Sequence, residues 1–282
     1  MKTFFKFIQE QLQDFYPDDE IKSLGYLILK SVCSVDKSLV LRHKDKKLSL
    51  NERFRAEEII EELKKYRPIQ YITGETEFYG LKFNVDENVL IPRPETEELV
   101  EWVIKEAPRS GYFLDIGTGS GCIAVALAKH LPHAEVLAID ISDKALDVAR
   151  CNAVLNQVNV RFFLHDILDD KPLASPYSSL IFDCIVSNPP YVTLKEKNTM
   201  ARNVLDYEPH QALFVPQDNP LLFYERIADF ARSHLKETGS LCMETNSLYG
   251  QASAKMLEDK KYSSVKLIKD ISGNDRIIIA KL

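Results

Sequence analysis

A chain of 282 residues, 45% hydrophobic and 28% charged, holds enough apolar material for one mid-sized core plus a small one. Its formal net charge of −6 argues against a nucleic-acid-binding surface as the default. The five cysteines (Cys33, Cys122, Cys151, Cys184, Cys242) form no C-x-x-C pair and lie mostly in apolar runs, which excludes a disulfide framework or a zinc ribbon and implies reduced thiols.

Residues 1–67 read as short helices that make a small N-terminal domain. Phe4, Phe5, Ile8 and Leu12 recur at helical spacing, and the pattern resumes from Ile21 to Leu29 after the Pro17-Asp18-Asp19 break. Ser49 with Glu52 makes a capping box for a third helix through Ile59, Ile60 and Leu63, which Pro68 closes. The basic patch Arg42-His43-Lys44-Asp45-Lys46-Lys47 reads as a solvated loop. The N-terminus alternates charged and apolar residues without a signal core, and no run is long enough to span a bilayer, so a cytoplasmic protein is expected.

Residues 68–92 are rich in β formers and broken by Gly74 and Gly80, the pattern of a β-hairpin linker. From residue 93 to 282 strand and helix alternate: helix 96–105, a strand about Tyr112, helix 122–131, strand 135–140, helix 144–156, then strands 160–164 and 181–187. Helix 219–235, strand 239–244, helix 248–259 and strands 264–269 and 276–281 complete the series. The turn signal Ser272-Gly273-Asn274 joins the last two strands as an antiparallel hairpin. The predicted fold is α/β, a mostly parallel doubly wound sheet with a terminal hairpin and a small helical domain in front.

Three strand ends carry chemistry. Asp115-Ile116-Gly117-Thr118-Gly119-Ser120-Gly121 is a glycine loop between an apolar strand and an apolar helix, where backbone N–H groups and close approach suit a ligand. Its spacing is not that of a dinucleotide site, because Cys122 stands where G-x-G-x-x-G needs its last glycine. Asp140, with Ile141 beside it, ends the next strand about 20 residues on, where a doubly wound fold carries the carboxylate for ribose hydroxyls. A helix cap, which Ser142 and Asp143 supply equally well, is the plain alternative. After the third strand, Asp166 reads either as an acceptor for an adenine amino group, with Ile167 packed on the ring, or as an exposed loop acid.

The fourth signal is Asn188-Pro189-Pro190-Tyr191, directly after the apolar run Ile181–Ser187. Proline fixes its own φ, lacks an N–H and pushes the preceding residue out of the helical region, so the Asn188 side-chain oxygen and a backbone carbonyl aim at one point. Two acceptors beside an aromatic face suit a planar –NH2 group. A strand-ending turn uses the same residue types.

Together, Asp115–Gly121, Asp140 and Asn188–Tyr191 resemble the class I S-adenosylmethionine-dependent methyltransferases that modify planar amino groups. Pro68-Ile69-Gln70-Tyr71-Ile72-Thr73-Gly74, Glu77-Phe78-Tyr79-Gly80 and Leu90-Ile91-Pro92-Arg93-Pro94-Glu95-Thr96-Glu97 resemble, more narrowly, the protein-(glutamine-N5) methyltransferases of peptide chain release factors, the PrmC/HemK family. So do Tyr207-Glu208-Pro209 leading to Ala212-Leu213, and Gly273-Asn274-Asp275-Arg276. The resemblance runs from about Pro68 to the C-terminus and implies a Rossmann-like methyltransferase domain over 93–282. It implies S-adenosylmethionine bound by Gly117, Thr118, Gly119, Ser120, Gly121, Asp140, Ile141, Asp166, Ile167 and Asn188, with Asn188, Pro189, Pro190 and Tyr191 catalytic and no metal. The implied target is the glutamine of the Gly-Gly-Gln loop in a release factor, docked by the helical domain, with no stable nucleic acid and no membrane involved. One departure is Thr245-Asn246, where the family pattern favours a glycine; no role is assigned to Asn246.

Two other classes stay open on the residues alone. A nucleic-acid adenine or guanine amino-methyltransferase uses the same four-residue logic on an extruded base, but would carry a basic groove. A non-catalytic cofactor-binding module would have no need of the full Asn-Pro-Pro-Tyr set.

Overall fold

The computed structural model describes residues 2–33, 48–169, 171–173 and 175–282. The basic patch Arg42–Lys47 lies outside the described residues. The chain divides into two units, the first made of 1–74 with 201–207, the second of 75–200 with 208–282.

In the first unit, α1 (Lys2–Leu12), α2 (Asp18–Cys33) and α3 (Leu50–Leu63) pack around Ile8, Leu12, Ile28, Leu29, Ile60 and Leu63, each at most 1% exposed. The expected capping box starts α3: Ser49 Oγ accepts from the Glu52 N–H at 3.3 Å, and Glu52 Oε2 accepts from the Ser49 N–H at 2.7 Å. Residues 69–73, read from sequence as part of a β segment, instead form one helical turn, α4 (Ile69–Thr73). Pro68 presets its first turn, and the Gly74 N–H closes it by donating to the Gln70 carbonyl, so local capping outweighs β propensity. The short helix Arg202–Tyr207 belongs here too: the Arg202 guanidinium lies 4.3 Å from the Tyr66 ring centroid and the Tyr207 hydroxyl donates to the Lys65 carbonyl at 3.0 Å.

The second unit opens with the hairpin β1 (Glu75–Phe78) and β2 (Leu81–Asn84), shorter than the predicted linker, and the helix α5 (Pro94–Glu106). Then come β3 (Ser110–Ile116), α6 (Cys122–His130), β4 (His133–Asp140), α7 (Asp143–Leu155), β5 (Val160–Leu164) and β6 (Phe182–Ser187). The short parallel pair β7 (Val192–Thr193) and β8 (Phe214–Val215) precedes α8 (Leu222–His234), β9 (Leu235–Glu244), α9 (Gly250–Asp259), β10 (Ser264–Lys269) and β11 (Asp275–Lys281). The main sheet has seven strands in the order β10-β11-β9-β6-β3-β4-β5. It is parallel except for β11, which runs antiparallel between β9 and β10, as the terminal hairpin requires.

Strand side chains alternate between faces, and both faces are covered. Phe113, Val136, Cys184, Val186 and Cys242 pack with α5 and α6 on one side. Leu114, Ile116, Leu137, Ile139 and Ile185 pack with α8 and α9 on the other. Each such fully buried side chain contributes roughly 1.5–3 kcal/mol. Burial on both faces is why these strands read as continuous apolar runs. Among the described residues no helix is long and apolar enough to cross a membrane.

Candidate active site

The central strand β3 has β4 on one side and β6 on the other, so the chain's direction of winding reverses there. A crevice opens at such a point, beyond the carboxyl ends of the strands. It holds a cavity of about 200 Å³, lined by Ile116, Gly117 and Gly119 after β3, Asp140 and Ile141 after β4, and Ser187, Asn188, Pro189 and Pro190 after β6. His165, Asp166, Ile167 and Phe223 also line it, as do Asn88, Pro209 and Gln211 from the flanking loops.

Gly117 and Gly119 have φ of +73° and +53°, and a Cβ built on either would meet nothing within 4 Å. Their backbone therefore faces open space in the cavity, which is the cradle a ligand needs. The residues that follow each of them, Thr118 and Ser120, are buried. Thr118 is buried and its hydroxyl donates to Asp115 Oδ2 at 2.6 Å; the Ser120 carbonyl accepts from Asn152 Nδ2 at 2.9 Å. A Cβ at Gly121 would come within 3.0 Å of Ala149 Cβ, so that glycine serves the packing of α6 on α7. Thr118, Ser120 and Gly121, expected at the cofactor, are not among the residues that line the cavity.

Asp140 is held rather than loose. Its Oδ2 accepts from the Gly119 N–H at 2.8 Å and its Oδ1 from the Ser142 N–H at 2.9 Å. The carboxylate keeps lone-pair capacity for a ligand hydroxyl. The helix-cap alternative falls to Ser142, whose Oγ accepts from the Ala145 N–H at the start of α7. Burial raises the Asp140 carboxyl above its ordinary value, and the backbone N–H groups of Gly119, Ser142 and Ile141 oppose that rise. Asp166 and Ile167 both reach the cavity, where Asp166 Oδ1 also accepts from the Leu168 N–H. Among the described residues lining the cavity none is lysine or arginine and two are aspartates, a lining suited to a cationic ligand rather than a phosphate.

Beneath the loop lies Asp115, fully buried, with Oδ1 lacking a hydrogen-bond partner. Burial pushes its carboxyl up to about 7, although Thr118 and the nearby Ala124 N–H favour the anion.

At the other wall Asn188 Nδ2 donates to Thr96 Oγ1 at 3.1 Å, and the Thr96 hydroxyl donates to Glu244 Oε2 at 2.6 Å. The end of the Asn188 amide left for the cavity is Oδ1. Tyr191, expected to stack on a substrate, does not line the cavity. Its hydroxyl donates to Glu244 Oε1 at 2.9 Å, and burial pushes its phenol up strongly. Its carbonyl accepts from Asn246 Nδ2 at 3.2 Å. Asn246 also donates to Glu196 Oε1 through Nδ2 and accepts the Leu248 N–H on Oδ1, which pins the loop after β6 to the end of β9. Glu208, buried, takes Arg93 Nη2 at 2.6 Å and the Ile91 N–H at 3.3 Å, and so anchors the segment carrying Pro209 and Gln211.

Residues 95–213 match the model of the methyltransferase small domain, and residues 5–74 match that of the PrmC N-terminal domain. A release factor glutamine methyltransferase of Flavobacterium psychrophilum is 46% identical over 97% of this chain and 95% of its own. Another, of Bacteroides thetaiotaomicron, is 47% identical over 99% of both chains. The chain belongs to the release factor glutamine methyltransferase family. Its fold likewise matches a solved methyltransferase of Pyrococcus furiosus, with a TM-score of 0.53, 19% identity, and coverage of 72% of this chain and 90% of that one.

In this release factor glutamine methyltransferase family member, sequence reasoning gave no role to Thr96, Glu244, Asn246, Arg93 or Glu208. Glu244 carried a readable signal, an acid ending an apolar strand as Asp140 does. The others stand in segments that carry the resemblance or depart from it, but they pair across more than fifty residues of chain, as with Asn246 and Tyr191 or Arg93 and Glu208, so no local pattern assigns their partners.

Proposed function

We propose that this protein transfers a methyl group from S-adenosylmethionine to the side-chain amide nitrogen of the glutamine in the Gly-Gly-Gln loop of peptide chain release factors, in support of translation termination. The observation that carries the reading is the orientation of Asn188, with its NH2 end tied to Thr96 and its oxygen left to the cavity onto which Gly117 and Gly119 open. S-adenosylmethionine, when bound, supplies a methyl group activated on a sulfonium. The open glycine backbone, the Asp140 carboxylate, the apolar Ile141 and Ile167 and a lining without lysine or arginine among the described residues fit that cationic, ribose-bearing molecule.

A glutamine amide nitrogen is a weak nucleophile because its lone pair is delocalised into the carbonyl. Asn188 Oδ1 and the Pro189 carbonyl accept its two hydrogens, turn the nitrogen toward the methyl donor, and stabilise the positive charge that grows on it. Pro189 and Pro190 supply rigid walls. Tyr191 acts from behind, through Glu244, rather than by stacking. No general base is required, since an N-alkylated amide is strongly acidic while cationic. The first unit docks the body of the release factor, and the working compartment is the cytoplasm.

Incubation with methyl-labelled cofactor and an intact release factor tests the reading. Label is expected on the glutamine of the Gly-Gly-Gln loop and absent from a factor in which that glutamine is alanine. Label taken up by nucleic acid, or by other residues of the factor, would overturn it.

A further inference from the structure

Glu244 is 1% exposed and is met by two hydroxyls, Thr96 at 2.6 Å and Tyr191 at 2.9 Å. Burial raises its carboxyl above the ordinary value, and the two hydroxyls and the nearby Arg276 oppose that rise and favour the anion. Burying a carboxylate on two neutral donors is expensive for the fold. A glutamine would fill the same space at lower cost. What only an ionised carboxylate supplies is acceptor character at both oxygens, which obliges both hydroxyls to donate to it. Thr96, having given its one proton to Glu244, can only accept from Asn188. An amide offered an acceptor turns its NH2 end to it. The oxygen of Asn188 is thereby sent the other way, into the cavity.

We infer that Glu244 and Thr96 are positioning residues that set the polarity of the Asn188 amide, so that the cavity receives an acceptor and not a donor. The inference rests on the proposed function, in which Asn188 accepts from the substrate NH2 group. Without the relay the amide can turn over, presenting Nδ2 to the substrate nitrogen, donor against donor. Three elements meet in this device: α5 brings Thr96, β9 ends in Glu244, and the loop after β6 carries Asn188. Tyr191, on the same loop, closes the second oxygen of Glu244 and leaves it no freedom to reverse the chain of donors.

The test compares Thr96→Val, which keeps the shape without the hydroxyl, with Thr96→Ser, which keeps the hydroxyl. Turnover on release factor is expected to fall roughly 10–100-fold in Thr96→Val, the range for losing a group that orients a reacting one, with KM for the cofactor and its calorimetric affinity unchanged. Thr96→Ser should stay within a few-fold of wild type, and Glu244→Gln should resemble Thr96→Val. Because the two residues act in one chain, the double variant Thr96→Val/Glu244→Gln should be no slower than the slower single variant.

A second readout does not depend on methyl transfer. In Asn-selectively labelled protein, one Asn188 side-chain amide proton, assigned by its loss in Asn188→Ala, should exchange slowly in wild type and Thr96→Ser and lose that protection in Thr96→Val. Wild-type kinetics in Thr96→Val, additive losses in the double variant, a valine defect that serine fails to rescue, or unchanged protection would each overturn the inference. Failure of the wild type to methylate release factor would instead count against the proposed function, and the proton exchange would still decide the relay.

Discussion

At the scale of single residues, the site depends on polar groups whose partners leave them one free valence. Asn188 is the clearest. Its Nδ2 is committed to Thr96, so truncation to alanine removes one aimed acceptor while the buried strand β6 behind it stays packed. Asn188→Ala is expected to slow methyl transfer by roughly 10²–10³-fold, as for other preorganised hydrogen-bonding groups, with cofactor affinity by calorimetry little changed. A variant that turns over at near wild-type rate would remove Asn188 from the mechanism. Asp115 makes a different claim, on stability. Its folded-state carboxyl is raised by burial to about 7 from 3.8, so over that interval the folded protein holds a proton that the unfolded chain has released. Stability drawn from this group therefore falls as pH rises through that window, and the fall is complete above it. Asp115→Asn has no proton to lose. Urea unfolding at about pH 5 and about pH 8 should show the variant gaining on wild type at the higher pH; a difference that ignores pH would mean that Asp115 titrates as it does in the unfolded chain.

At the scale of elements, the cavity is framed by segments distant in sequence, two of which a partly buried ion pair locks together. Arg93, before α5, and Glu208 meet at 2.6 Å with side chains 31% and 1% exposed. Arg93→Ala leaves Glu208 buried with the Ile91 N–H alone, and should cost about 3 kcal/mol, the low end for breaking a buried pair because Arg93 is itself partly solvated. Denaturant unfolding measures it, and a second change, Glu208→Gln, should recover part of the loss by removing the stranded charge. No recovery would mean that Arg93 acts by packing. The strands and helices around this frame were legible because burial on both faces writes long apolar runs, and because caps such as Ser49 with Glu52 are local. What escaped was decided by tertiary contact. Ile69–Thr73 is helical where β formers suggested strand, and Cys151, one of five cysteines read as lying mostly in apolar runs, is exposed on α7. In the candidate site the strand-end residues Gly117, Asp140 and Asn188 were readable, since fold and spacing together put them at the crevice. The facing of Thr118, Ser120 and Tyr191 was not, because a motif names positions without saying which way each side chain turns.

At the scale of the whole molecule, the helical unit is closed by a segment far along the chain, since residues 201–207 pack on Lys65 and Tyr66. Deleting the N-terminal helices would strip that segment of its support, so surface substitution is the cleaner probe of what the unit does. On α3, Ala56, Ile59, Ile60 and Leu63 face the core, while Leu50 and Phe54, one turn apart on the opposite side, are 87% and 63% exposed. Large apolar groups left in water at helical spacing fit the proposed docking of the release factor body, where an aromatic anchor carries a large share of affinity. The double substitution Leu50→Asp/Phe54→Asp should leave the core of the unit intact. It should raise KM for intact release factor roughly 10–30-fold, the loss expected of one anchor, with kcat unchanged. A short peptide carrying the Gly-Gly-Gln loop lacks the body that α3 would hold, so its KM should not move. Steady-state kinetics with both substrates decides the matter: equal effects on factor and peptide, or no effect on either, would remove α3 from recognition and leave the helical unit a structural role.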